Sequence, residues 1–166
     1  WGMQVKSRHH LRADAVDELE SALAAKLGVE VDADTYEKVE LDGTGYDLVL
    51  VDDEPAVVYI EDESGEQEPF LTVRGANEYP PQHNVVTVDA GAISFVSDGA
   101  DVMRPGIVTA DDTVDAGDLV AIAEENHGKV LAVGRARTEG TDMVGDEGKV
   151  VDSIHHVGDE LYEFAV

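Results

Sequence analysis

The stretch Val5–Arg12, VKSRHHLR, holds the first side chains in the sequence that could bind a charged ligand. It contains Lys6, Arg8 and Arg12 together with two histidines, and no acidic residue precedes Asp14. The whole chain has 37 acidic residues and only 11 basic ones, so a cationic segment without acids is unusual here. Because arginine and lysine bind anionic oxygens, the segment favours an anionic ligand. The alternative is a frayed terminus whose charges contact nothing.

A second group of cations lies in the segment KVLAVGRAR. If this segment is a strand, Lys129, Leu131, Val133, Arg135 and Arg137 share one face. Arg135 and Arg137 would then project side by side, roughly 6–7 Å apart. Arginine suits phosphate because its planar guanidinium makes bidentate contacts. The alternative is that each arginine pairs with one of the many neighbouring carboxylates.

Signals for catalysis or metal binding are weak. The sequence has no cysteine, no phosphate-binding glycine–lysine loop, no serine elbow and no histidine pair at helical ligand spacing. Asp32-Ala33-Asp34 begins like a calcium loop, but Glu37 and Gly43 stand where that loop needs glycine and glutamate. The pairs His9-His10 and His155-His156 could chelate only together, because neighbours on a strand point to opposite faces. We therefore expect no catalytic residue, no cofactor and no metal.

The first half of the chain predicts one helix and four strands. Asp14 is expected to cap the helix, apolar residues then recur at three-to-four spacing, and Gly28 ends the pattern. Four apolar stretches separated by turn clusters such as DGTG predict strands, namely KVEL, YDLVLV, AVVYIE and PFLTV. Pro80 and Pro81 interrupt the pattern because neither can donate to a strand ladder. We place a domain boundary there, between residues 3–82 and 83–166.

The second half predicts short strands, tight turns and one small helix. We expect a strand to Val88, a helix over about 91–96, a glycine turn at 98–100 and a second strand through Met103. Two apolar runs joined at 126–128 form a hairpin, and a last strand is expected at ELYEF. Such a set is typical of a compact β-barrel. The predicted class is therefore α+β, a small N-terminal α/β domain followed by a pseudo-barrel of short β-strands with small helices.

The charge of the chain needs an explanation of its own. The formal net charge is −26, with the acids spread along the sequence rather than collected in a tail. Self-repulsion at this density destabilises a small fold in dilute buffer, and salt near 1 M, with a screening length of about 3 Å, removes most of it. The sequence is typical of a salt-accumulating cytoplasm, as in halophilic archaea. With no membrane-length apolar run and no apolar signal core, we expect a cytoplasmic protein.

The segment Val85–Val166 resembles a PUA domain, the RNA-binding module named after pseudouridine synthases and archaeosine transglycosylases. Four stretches carry the resemblance in the right order and spacing, VDAGAISFVSDGADVMRPGI, AGDLVAI, VLAVGRA and GKVVDSIHHVGDELY. The preceding half, from VKSRHHLR to FLTVRGANEYPPQ, resembles the domain that precedes PUA in one family. That family is the archaeal and eukaryotic malignant-T-cell-amplified-sequence family, related to ligatin, and the chain is identified as a member of haloarchaeal type.

The resemblance implies a non-catalytic RNA-binding protein of the translation machinery. Family members act on the small ribosomal subunit and near the acceptor end of tRNA, in initiation or recycling, and eukaryotic relatives work with a partner of initiation-factor-like fold. We expect the same kinds of partner here, no membrane contact and a monomer, with VKSRHHLR as a second footprint for ribosomal RNA. The expected RNA-binding residues are Lys6, Arg8, His9, Arg12, Gly99, Ala100, Asp101, Val102, Met103, Arg104, Pro105, Gly106, Arg135, Arg137 and Tyr162.

Acidity qualifies this interpretation, because residues 85–166 hold 5 basic and 17 acidic residues, a net charge of −12. Binding by counterion release loses affinity steeply with salt, so an RNA-binding protein in molar salt must depend on hydrogen bonds, stacking and shape. A glycine turn suits such contacts because the backbone can approach a phosphate or a base closely. Two other functions stay open, an accessory PUA protein that presents RNA to a separate modification enzyme and a protein-interaction module that no longer binds RNA.

Overall fold

The computed structural model describes residues 3–43 and 46–166, and these form two β-sheets. The first sheet is antiparallel and takes its strands in chain order, β1 (Gln4–His10), β2 (Tyr36–Asp42), β3 (Asp47–Val51), β4 (Glu54–Glu61) and β5 (Gln67–Leu71). The four predicted strands are present as β2 to β5. The basic segment VKSRHHLR lies mostly in β1, for which the sequence makes no strand prediction. The predicted turn at 42–45 falls partly outside the described residues.

Helix α1 (Ala13–Leu27) connects β1 to β2 and buries the apolar side chains Leu19, Leu23 and Leu27 in the core. Gly28 ends the helix as predicted, with φ 66°. The predicted cap at Asp14 is wrong, because Arg12 occupies the cap position and Asp14 lies in the first turn. The β1–β2 ladder reaches Leu11, whose N–H donates to the carbonyl of Tyr36, so the chain enters the helix directly after that bond.

Helix α2 (Val73–Glu78) occupies the end of the predicted strand PFLTV and the residues that follow it. The strand stops at Leu71 because Thr72 caps the helix, its hydroxyl accepting from the N–H of Gly75 at 3.0 Å. Gly75 lets α2 lie directly against β4, since a Cβ there would come within 2.0 Å of the carbonyl oxygen of Ala56. The sequence prediction missed this helix.

The second sheet has six short strands in the order β7-β11-β10-β9-β6-β8. These are β6 (Val85–Val88), β7 (Val102–Met103), β8 (Ile107–Ala110), β9 (Leu119–Glu124), β10 (Val130–Ala136) and β11 (Lys149–His156), with helix α3 (Ile93–Ser97) between β6 and β7. β6 and β9 are parallel and the other pairs are antiparallel. The sheet curls into a nearly closed pseudo-barrel, so the predicted class, α+β with a barrel in the second half, is confirmed.

The predicted last strand at ELYEF is wrong, because Glu160–Glu163 form a short helix, α4. The carboxylate of Asp159 caps this helix by accepting from the N–H of Tyr162 at 2.8 Å. Leu161 and Phe164, three residues apart, are both buried in the core, which is a helical spacing. With α4 four residues long and α1 fifteen, none of the helices in the described part of the chain could cross a membrane.

One apolar cluster is shared by the two sheets, and in it Leu119 and Val133 of the second sheet pack with residues of the first. The second sheet encloses a further apolar cluster of its own. Helix α2 lies at this junction, where the side-chain amide of Asn77 donates to the carbonyl of Val130 at 3.0 Å and accepts from its N–H at 2.8 Å. Each sheet falls within one of the predicted domains, 3–82 and 83–166. Because the shared cluster crosses from one sheet to the other, that boundary stays a prediction.

Candidate nucleic-acid interface

An open groove with a volume of about 360 Å³ lies between helix α3 and strand β7. The glycine turn after α3 and the strand that follows it form one wall. Six of the expected residues line the groove, Ala100, Asp101, Val102, Met103, Pro105 and Gly106. The other wall adds Ala92, Phe95 and Val96 from α3 and the turn before it. The surface that a ligand would meet is therefore mostly apolar.

Phe95 is the most prominent side chain of the groove, and the sequence prediction missed it. Its exposed fraction is 67%, and that of Met103 on the opposite wall is 47%. Within the five-residue helix α3, Val96 is buried beneath the groove, so Phe95 projects from a different side of the helix. An aromatic residue beside the buried position of a short helix is the signal that could have identified it. Exposed apolar side chains that line a groove are typical of an interaction site.

The glycine turn is shaped by a histidine behind it. Gly99 has φ +90°, and a Cβ at this position would lie 2.8 Å from both Cδ2 and Nε2 of His156. The ring of His156 is held in turn, because its Nδ1 lies 3.0 Å from the carbonyl oxygen of Ser97 and 2.9 Å from that of Val157. Gly99 is therefore required both by its positive φ and by the close approach of the His156 ring, a contact with a residue distant in the sequence.

The backbone amides of this turn are already used within the protein. The N–H of Gly99 donates to the carbonyl of Val96 and that of Ala100 to the carbonyl of Phe95, both at 3.0 Å. These bonds cap the C-terminus of α3. A ligand in the groove would therefore meet side chains rather than these two amides.

The acidic residues at the rim of the groove are compensated locally. Asp101 accepts from the N–H of Ser153 at 2.8 Å and pairs with Lys149 at 2.9 Å, and these two groups hold its pKa below the ordinary value. Asp89 accepts from the N–H of Ala92 at 3.0 Å and caps the turn before α3. Both carboxylates thus serve the local structure of the groove walls.

Arg104 is engaged by the loop that follows β10. Its Nε donates to the carbonyl of Asp142 at 2.9 Å, its Nη1 to the carbonyl of Glu147 at 3.0 Å, and its Nη2 to the carboxylate of Asp142 at 3.1 Å. Its side chain is 25% exposed. The guanidinium orients the loop, and it does not line the groove.

Arg135 and Arg137 line a common cleft, but carboxylates surround them. Arg135 donates to the carboxylate of Glu68 at 3.3 Å and to the carbonyl oxygens of Gly117 and Glu61 at 2.7 and 3.1 Å, which ties the second sheet to the first. Arg137, just beyond the end of β10, lies 3.7 Å from Asp152. The cleft is also lined by Asp62 and Glu63. Both arginines are paired with neighbouring carboxylates, so their charges are compensated within the protein.

The cations of the basic segment differ in how far they are paired. Arg8 makes two bonds to Glu37, at 2.7 and 3.1 Å, which raise the pKa of Arg8 and lower that of Glu37. Arg12 lies 3.6 Å from Asp14. Lys6 and His9 are exposed and form no ion pair within the described residues. The backbone of the segment forms strand β1 up to His10, but only Arg8 among its cations is held by hydrogen bonds to a carboxylate.

Tyr162 lies away from the groove. It belongs to helix α4 rather than to a strand, and its ring packs 5.3 Å from the guanidinium of Arg74 at the junction of the two sheets. Nearby, His155 is buried, with Nε2 accepting from the N–H of Val73 at 3.1 Å and Nδ1 donating to Asp159 at 2.9 Å. No cluster of three or more potential metal ligands occurs in residues 3–43 and 46–166.

Comparison with known sequences gives relatives for both halves of the chain. An uncharacterised protein of Methanocaldococcus jannaschii is 38% identical over 120 residues, which cover 72% of this chain and 71% of that protein. Translation machinery-associated protein 20 of Saccharomyces cerevisiae is 35% identical over 54% of each chain. The malignant T-cell-amplified sequence 1 homolog of Dictyostelium discoideum is 32% identical over 69% of this chain and 64% of that one.

A family model and a solved structure both match this chain. The family model described as PUA domain matches residues 84–158, which contain the groove. A hypothetical protein from Pyrococcus horikoshii is similar over 95% of this chain and 98% of its own, with a TM-score of 0.78 and 29% identity. The similarity therefore covers both sheets and not the barrel alone.

Proposed function

Since the chain belongs to the PUA-domain family that includes translation machinery-associated protein 20 and malignant T-cell-amplified sequence 1, we propose that it is a non-catalytic RNA-binding protein of the translation machinery. Its binding site is the groove between α3 and β7. The observation that carries this assignment is the exposed Phe95 opposite Met103 in an apolar groove. Proteins recognise RNA sequence mainly at single-stranded regions, where the bases are free to stack on aromatic side chains.

The groove suits unpaired bases rather than a duplex. It is open, it has the size of a site for one or two small planar groups, and its walls carry no lysine or arginine. A base stacked on an aromatic ring contributes about 1–3 kcal/mol. Stacking needs no counterion release, so it persists in molar salt where phosphate contacts weaken. Binding through bases therefore agrees with a net charge of −26.

The ligand that fits this description best is the single-stranded acceptor end of tRNA, with the small ribosomal subunit as the larger binding partner. The support is the name of translation machinery-associated protein 20, together with the preference of the groove for unpaired bases. A protein partner of initiation-factor-like fold, a cytoplasmic location and a halophilic source complete the proposal. The acidic surface supports the last of these.

A binding measurement with matched variants tests the assignment. Fluorescence anisotropy in 2 M KCl follows a 5′-labelled single-stranded RNA octamer, and tRNA and small subunits serve as competitors. Phe95→Ala should weaken binding about 5- to 150-fold, because one stacked base is lost. Val144→Ala is the control, since Val144 is an apolar side chain of similar exposure, 59% against 67% for Phe95, that does not line the groove. Equal affinities for the two variants would overturn the assignment.

Co-purification from cells in native salt separates the remaining functions. Recovery of ribosomal subunits supports the translation role, whereas recovery of an RNA-modification enzyme would favour an accessory role. Recovery of proteins without any RNA would favour an interaction module. Phe95→Ala should reduce the RNA recovered in the first two cases.

A further inference from the structure

Strand β1 is the outermost strand of the first sheet. It pairs with β2 along one edge, and no strand of the described residues pairs with the other edge. Its side chains are exposed on both faces apart from Ser7, which is half-buried. An edge of this kind offers unpaired backbone N–H and C=O groups to another chain.

The backbone bonds show which residues face the open edge. The N–H of Leu11 donates to Tyr36 at 2.9 Å, so that pair is hydrogen-bonded across the ladder. Bonded and non-bonded pairs alternate in an antiparallel ladder, and His9 therefore also faces β2, through its partner Lys38. Arg8 and His10 lie at the alternate positions, so their N–H and C=O groups point outward.

Edge strands of native proteins are usually protected against pairing with another chain, and β1 has such protection only in its first half. A bulge between Val5 and Ser7 leaves Lys6 as the extra residue, and a bulge together with a lysine hinders pairing. From Ser7 to His10 the register is regular. This run of the strand is free to accept a partner strand.

The charge on β1 selects the kind of partner. No acidic residue lies between Met3 and Ala13, although the chain has 37 acids. A second copy of β1 would bring like charges face to face, whereas an acidic strand would be attracted. Arg8 is bound to Glu37 and His10 lies 3.8 Å from the same carboxylate, so Lys6 and His9 are the residues of β1 left to meet an anionic partner. From Ser7 to His10 no strand of the described residues pairs with the outer backbone edge, which favours a partner that binds through its main chain.

We propose that the outer edge of β1 binds an extended acidic segment of a partner protein by strand addition, pairing with the backbone of Arg8 and His10. This binding is independent of the RNA groove. The main-chain bonds hold the segment, and its carboxylates contact the exposed cations of β1. Ribosomal RNA on the same segment, the expectation from the sequence, is the competing outcome.

The test uses the full chain in 0.5 and 2 M KCl with a dye-labelled octapeptide of alternating valine and glutamate. His10→Pro removes one outward N–H without touching a bond to β2, and edge strands accept proline at such positions. His10→Ala is the matched control, because it removes the same side chain and keeps the N–H. Phe95→Ala controls for the groove. A fully N-methylated copy of the peptide keeps the carboxylates and has no donor.

We expect His10→Pro to weaken peptide binding about fivefold or more, His10→Ala and Phe95→Ala to change it less than twofold, and the N-methylated peptide not to bind. Amide NMR signals of Arg8 and His10 should shift on binding. If His10→Pro does not fold, the N-methylated peptide and the NMR shifts carry the test. Absence of peptide binding, equal losses in both His10 variants, or displacement of the peptide by an RNA octamer would overturn the inference.

Discussion

Replacing Gly99 by alanine tests the geometry on which the groove depends. The residue has φ +90°, a conformation that costs a residue with a Cβ about 1–2 kcal/mol. The new methyl would also lie 2.8 Å from two ring atoms of His156, and displacing a held side chain costs about 1–3 kcal/mol more. We therefore expect the free energy of unfolding to fall by about 2–5 kcal/mol.

Gly65 provides the matched control, because its φ is +86° and a Cβ there would meet nothing within 4 Å. Gly65→Ala should lose only the backbone part, about 1–2 kcal/mol. Urea unfolding in 2 M KCl measures both variants and the double variant Gly99→Ala/His156→Ala, in which the contact is absent. Equal losses at Gly99 and Gly65, or no relief in the double variant, would refute the role assigned to His156.

Three further predictions concern stability. The melting temperature should rise from 0.1 to 2 M KCl because salt screens a net charge of −26, and a flat or falling curve would contradict the interpretation of the acidic surface. Asn77→Ala should lower the free energy of unfolding, measured with urea, by about 1–3 kcal/mol, because it leaves the N–H and C=O of Val130 unpaired at the junction. A loss below about 0.5 kcal/mol, the lower limit for one hydrogen bond, would argue against a tight junction. Burial opposes ionisation of Asp159, but hydrogen bonds from His155 and two backbone amides hold its pKa below the ordinary value. The stability that the ionised carboxylate adds to the fold is therefore present above about pH 4 and is lost as the pH falls through the lowered pKa. Unfolding of Asp159→Asn should accordingly depend less on pH between about 5 and 2 than unfolding of the parent, and identical slopes would contradict this.

Elements with a local signal could be predicted from the sequence. Helix α1 follows from the apolar spacing that ends at Gly28, and the hairpin of β9 and β10 follows from two apolar runs around a glycine turn. In each case the decisive residues are neighbours in the chain.

Elements decided by distant contacts could not be predicted. Helix α2 exists because Gly75 fits against Ala56, and α4 because Leu161 and Phe164 share a core with the first sheet. The partners of the arginines are equally distant, as with Arg135, which reaches Glu68 and Glu61 in the other sheet. In a chain with 37 acids, the sequence cannot indicate which carboxylate lies near a given arginine.

Photo-crosslinking tests the central claim most directly, namely that the groove between α3 and β7 holds unpaired RNA bases. A single-stranded RNA containing 4-thiouridine is bound in 2 M KCl and irradiated, and the crosslinked residues are identified by mass spectrometry. We expect crosslinks at Phe95 and Met103, the two exposed apolar side chains of the groove, and their loss in Phe95→Ala. Crosslinks confined to strand β1 or to the Arg135 cleft, or none at all, would contradict it.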